Sequence, residues 1–279
     1  MNLTSNPYPL YFSARSIKPS VNSDLLFSSC YNSLKGQIIT PILRTRMIDW
    51  MVEVLTKMNS SGNTFFLSVY IMDKYLKRGP KAIPPEKLLL IGTVSMVLAS
   101  KFEDVQPISI PLARKCLVHN KYTVQELASM EFEICTVIEF EFLVPLCTDY
   151  LGLMCSKVQI PFIISRSAEL VLIINRLEYN NYYPPFEEAT SALILICKNL
   201  NQQALAQEIM SFSGLPEDLM EISIIGMTNQ LYSYKLNPAK FKLVLKELGF
   251  SFESVELQKL FRFTDPELER SQINLINYV

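Results

Sequence analysis

Few residues in this chain have the type and spacing that catalysis needs. There is one histidine, His119, in a Val-His-Asn-Lys stretch, and no nucleophile–base pair is in view. Six cysteines stand at 30, 116, 135, 147, 155 and 197, no two at C-x-x-C spacing, so with a single histidine no zinc set is expected. Only 8 of 279 residues are glycine, which argues against a glycine-rich phosphate cradle, a Rossmann fold or a β-sandwich. One carboxylate is conspicuous for another reason. Asp73 lies inside an otherwise apolar helical stretch, where burial costs several kcal/mol unless a cation meets it. The expectation is a non-enzyme with no cofactor and no metal.

Charge and hydropathy narrow the class further. With 26 basic and 27 acidic residues the net charge is −1, which offers no footprint for nucleic acid and no polybasic membrane patch. No apolar run reaches the ~18 residues of a membrane span, and the first twenty residues lack the apolar core of a signal peptide. Most of the cysteines fall in apolar helical stretches, where a thiol packs as a small hydrophobe. A soluble, reduced, intracellular protein is expected, without nucleic-acid or membrane partners.

The elements that would position any site are helices. Residues 1–22 read as an arm of uncertain order, and Ser23–Leu34 as a short helix. Thr40-Pro41 then opens a helix with Ile48, Met51, Val52, Leu55 and Met58 on one face and Met47, Trp50 and Val54 on another. Further helices are predicted for Thr64–Lys77, for the run after Pro84-Pro85, for a piece near Leu112–Leu117 and for Val124–Val137. Thr123 and Glu126 form the capping-box signature of the last of these. After Pro145 the pattern restarts with Asp149–Lys157, Ser165–Leu177, Phe186–Asn199, Gln203–Phe212, Pro216–Tyr232 and Pro238–Leu248. The β-branched run VLIIN has no partner run for a sheet and is read as helix. The fold class is all-α in two tandem units, 23–145 and 146–250, with a tail at 251–279.

Four ordered blocks carry a resemblance. They are ILRTRMIDWMVEV, VYIMDKYL, GTVSMVLASKFED and SMEFEICTVIEFEF, and together they closely resemble the first cyclin box of the mitotic A/B-type cyclins. That family carries Met-Arg-x-Ile-Leu-x-Asp-Trp-Leu-x-Glu-Val in helix one, an Asp in helix two, Leu-Ala-Ser-Lys-Phe-Glu-Glu in helix three and Met-Glu opening helix five. The likeness spans about 20–145, and YYPPFEEATSALILIC extends it weakly into a second box. The resemblance implies two tandem five-helix cyclin-box domains with an N-terminal helix, acting in the nucleus or cytoplasm.

It also implies a function. A cyclin is a non-catalytic subunit that forms a heterodimer with a cyclin-dependent Ser/Thr kinase and activates it, fixing the C-helix and activation loop and so driving cell-cycle progression. By register, Lys101 and Glu131 would grip that C-helix, with Leu90, Phe102 and Ile134 as an apolar floor beside them. Arg44 and Asp73 would form a structural ion pair. The substrate-docking patch, which takes Arg-x-Leu segments of kinase substrates or inhibitors, would fall on Leu43, Arg46, Met47, Trp50, Glu53 and Leu89. Arg46 replaces an isoleucine there and Leu89 often a glutamine. A guanidinium at the groove floor predicts lost docking of the usual motif or a changed ligand preference. Arg15-Ser16-Ile17-Lys18 lacks the leucine of an Arg-x-x-Leu destruction box. A cyclin-fold scaffold without kinase activation stays open as the alternative.

Overall fold

A computed structural model describes residues 32–178 and 183–236. The arm at 1–22, most of the predicted helix Ser23–Leu34, the helix Pro238–Leu248 and the tail lie outside them. Where residues 32–34 are described they form a turn, not a helix end: Asn32 is left-handed at φ 58°, and Lys35 N donates to Asn32 O at 3.0 Å.

Ten helices follow, and the described residues contain no strand. In chain order they are α1 (Pro41–Lys57), α2 (Gly62–Arg78), α3 (Leu88–Glu103), α4 (Ile110–Leu112, continuing as a π-turn Ala113–Leu117) and α5 (Val124–Val137). The second run is α6 (Cys147–Val158), α7 (Phe162–Leu177), α8 (Pro185–Asn199), α9 (Gln203–Ser213) and α10 (Glu217–Leu236). The starts obey local chemistry. Thr40 caps α1 by accepting from Leu43 N at 3.3 Å, with Pro41 in the first turn where its missing N–H costs nothing. Ser61 caps α2 through Thr64 N at 3.2 Å. At α5 both halves of the capping box form: Glu126 N donates to Thr123 Oγ1 at 3.1 Å and Thr123 N to Glu126 Oε2 at 2.7 Å. The Thr123 N–H, with the Thr123 hydroxyl donating to the same oxygen at 2.8 Å, holds the Glu126 carboxyl below the usual range.

Helices α2 and α3 are the inner pair of the first group. Thr64 to Leu76 of α2 is buried without a break, as is Leu90 to Ser100 of α3. Such all-round burial requires neighbours on every side, and α1, α5 and α6 supply them. In the second group α8 takes the central place, packed by α6, α7, α9 and α10. VLIIN is wholly buried within α7, so its β-branching reflects core packing against α8 and α10 instead of sheet pairing. The two groups meet where α1 touches α7 and α2 touches α6.

A buried ionic layer lies near that junction. Arg44 on α1 grips Asp73 on α2 in a fork, Nε to Oδ1 at 2.8 Å and Nη2 to Oδ2 at 2.7 Å, with neither side chain exposed. Its remaining nitrogen donates to Arg176 O at 3.2 Å at the end of α7, and Thr45 Oγ1 donates to Leu177 O at 2.7 Å. These donors meet C-terminal carbonyls that no helical N–H can reach, and the guanidinium complements the helix dipole. Beside them Arg176 pairs with Glu188 of α8, which also accepts from Asn175 Nδ2 at 2.7 Å. Burial pushes the Glu188 carboxyl up, against the pull of the Arg176 guanidinium.

Candidate functional site

The site begins with a lysine that the core helix α3 carries to its exposed end. Lys101 sits in the last turn of α3, past the buried run that ends at Ser100, and its ammonium pairs with Glu131 of α5. The two charges therefore project together at the surface; the lysine side chain is 41% exposed and the glutamate 19%. Packing of α5 on α3 fixes this pairing. Just beneath, the Cys135 thiol is pushed up by burial and by the Glu131 carboxylate, while Lys101 pulls it down.

Next to the pair the surface turns aromatic. Phe102 stacks on Phe142 at 4.5 Å between ring centres, and Phe142 in turn meets Phe140 edge-on at 6.5 Å. Phe142 is buried, but Phe102 is 46% and Phe140 65% exposed. Loops after α3 and α5 add Val105 and Leu143, both mostly in solvent. Of the floor expected from the sequence only Phe102 lies at the surface. Leu90 is 8% exposed and Ile134 fully buried, so both lie in the core beneath that surface. The exposed apolar side chains on these loops are Phe140, Val105 and Leu143, which the sequence reading did not single out.

Of the docking-patch residues, Leu43, Met47 and Trp50 follow one another at helical spacing along α1, and Leu89 stands on α3. Leu43, Trp50 and Leu89 are half-buried against the core, and Met47 is buried over Gly92. A Cβ at residue 92 would come within 2.0 Å of the Met47 methyl, so the glycine leaves room for the Met47 side chain between α1 and α3. Arg46 is exposed, one residue before buried Met47. Glu53 is already engaged by Lys57 one turn on. His119 lies exposed in a left-handed turn with Asn120, and no acidic, cysteine or histidine cluster fit for a metal occurs among the described residues.

Residues 14–142 match the family model described as the cyclin N-terminal domain. The G2/mitotic-specific cyclin-B1 of Oryzias luzonensis is 31% identical over 172 residues, covering 61% of this chain and 42% of that protein. The first half of the chain thus carries a cyclin N-terminal domain. The chain is similar to B-type cyclins: the G2/mitotic-specific cyclin-B of Spisula solidissima is 26% identical over 238 residues, 85% of this chain and 54% of that one. The chain thus spans about half the length of the curated relatives it matches. Its fold is that of the viral cyclin from herpesvirus saimiri, with a TM-score of 0.62 at 20% identity over 75% of this chain and 94% of the other. No described helix is long and apolar enough to cross a membrane.

Proposed function

We propose that this protein is a cyclin, a non-catalytic regulatory subunit that binds and activates a cyclin-dependent Ser/Thr protein kinase, and through it serves cell-cycle progression. One observation carries the reading: Lys101 and Glu131 stand paired at the surface beside an exposed aromatic row. Lysine and glutamate side by side offer both a donor and an acceptor to the backbone and side chains of an incoming helix. The rings of Phe102 and Phe140 offer the apolar area that a lone surface ion pair lacks.

The mechanism follows from what a kinase needs. Phosphoryl transfer requires the ion pair between the kinase's ATP-site lysine and its C-helix glutamate. A rigid helical face that binds the C-helix only in its inward position moves the kinase toward the active state. Shifting that equilibrium from 1:99 to 99:1 takes about 5.5 kcal/mol of differential affinity. An interface of roughly 2,000 Å² or more with a few central anchors can supply it. The role of α3 and α5 is stiffness: their buried packing keeps the lysine and glutamate in place before the partner arrives.

The test is reconstitution. The full chain is mixed with a purified cyclin-dependent kinase catalytic subunit, and affinity and histone phosphorylation are measured for the wild type and for Lys101→Ala with Glu131→Ala. The wild type is expected to bind and raise activity, and the double variant to lose at least about tenfold of both, as for truncation of a central charged pair. Normal activation by the double variant overturns the site. Binding without activation leaves the scaffold reading in its place.

A further inference from the structure

The loop that carries Phe140 has an unusual backbone for its sequence. Glu139 and Phe140 are consecutive left-handed residues, at φ 59° and 55°, a region that side chains other than Asn and Asp seldom enter. Bonds from the end of α5 hold the near side, with Phe140 N donating to Cys135 O at 2.9 Å and Glu141 N to Ile138 O at 3.2 Å. The far side is held from the core. Lys74, fully buried in the middle of α2, pairs with the Glu141 carboxylate and donates to the Tyr70 hydroxyl at 2.7 Å. Arg78, one turn further, stands 3.8 Å from Glu141 and 3.7 Å from Glu139.

A buried ammonium strongly favours a fixed anion, and here the anion belongs to the residue after Phe140. The pull of α2 on Glu141, with Phe142 sunk beneath against Phe102, leaves the Phe140 ring directed outward and exposed. We propose that the Lys74–Glu141 pair is a latch that presents Phe140 to the kinase, with Lys74 a positioning residue that never touches the partner. This rests on the kinase-binding reading of the same surface and adds to it a distant determinant of affinity.

Two measurements on the full chain test it, one without any partner. In Lys74→Met, amide hydrogen exchange at Phe140 and Phe142 is expected to quicken at least about tenfold while α2 keeps its protection. Affinity for the purified kinase subunit is expected to fall about fivefold or more, yet Phe140→Ala combined with Lys74→Met should bind within about twofold of Phe140→Ala alone. If Lys74→Met fails to fold, Glu141→Gln, whose site is partly solvated, carries the same comparison. Unchanged exchange in the loop overturns the latch. Quickened exchange with losses that multiply in the double variant overturns the positioning role. A wild type that binds no kinase overturns the functional reading itself, and the partner-free exchange result tells the two failures apart.

Discussion

Replacing Asp73 with asparagine should destabilise this protein more than its volume change suggests. The substitution keeps the shape but removes the charge from a forked pair in which both side chains have no exposure. Arg44 then loses its forked carboxylate and keeps the carbonyls of Arg176 and Glu178 at 3.2 and 3.4 Å. Breaking a buried pair from one side costs about 3–5 kcal/mol. With an m-value near 3 kcal/mol per molar, the urea midpoint should drop by roughly 1–2 M. Arg44→Met combined with Asp73→Leu removes both charges and should recover much of this. It should still fall short of the wild type by about 1–3 kcal/mol, because the α7 carbonyls lose their donor. Unfolding followed by circular dichroism reads both numbers. A midpoint shift below ~0.3 M for Asp73→Asn, or a double variant less stable than the single one, would refute the reasoning.

Three further outcomes are expected. Tyr75 donates to Glu133 at 2.5 Å, and burial, then that carboxylate, pushes its phenol well above the usual value. The neutral phenol is favoured in the folded state, so its stabilisation is complete below about pH 10 and fades as pH rises further. Alkaline unfolding of Tyr75→Phe should accordingly show a weaker loss of stability above pH 10, and an identical profile would count against the bond. Among the described thiols, alkylation at pH 8 in a Cys30→Ser background should reach exposed Cys116 first. It should spare Cys147 and Cys197 until unfolding, the latter thiol being pushed up to about 11 by burial; mass spectrometry of early labelling decides. Arg46→Ile should raise affinity for an Arg-x-Leu peptide by about tenfold in a fluorescence titration, since the exposed guanidinium repels the ligand arginine. No change would mean that the Lys57-bound Glu53 controls the patch.

What could be read from the sequence was what local rules encode. Thr40-Pro41 and the Thr123–Glu126 box marked two helix starts, and the lack of a partner run for a sheet placed VLIIN on a helix. The pairing of Lys101 with Glu131 followed from motif register, and the structure sets them in contact. Register does not say how deep a side chain lies: of the apolar floor expected beside the pair, Leu90 and Ile134 lie in the core and Phe102 is exposed. Phe140 was missed because an aromatic after a helix reads as core, and neither glutamate nor phenylalanine signals left-handed backbone. Lys74–Glu141 and Arg176–Glu188 were hidden for a different reason. Such charges read as surface until the tertiary fold encloses them, and no local spacing links α2 to a loop 67 residues away.

The central claim is met most directly by exchanging the two charges, Lys101→Glu with Glu131→Lys. The pair can still form within the chain, so stability should stay within about 0.5 kcal/mol of the wild type. A partner that reads the two charges in order meets them reversed, and affinity for the kinase subunit, measured by calorimetry, should fall about 100-fold or more. A swapped chain that binds and activates as the wild type does would contradict the account.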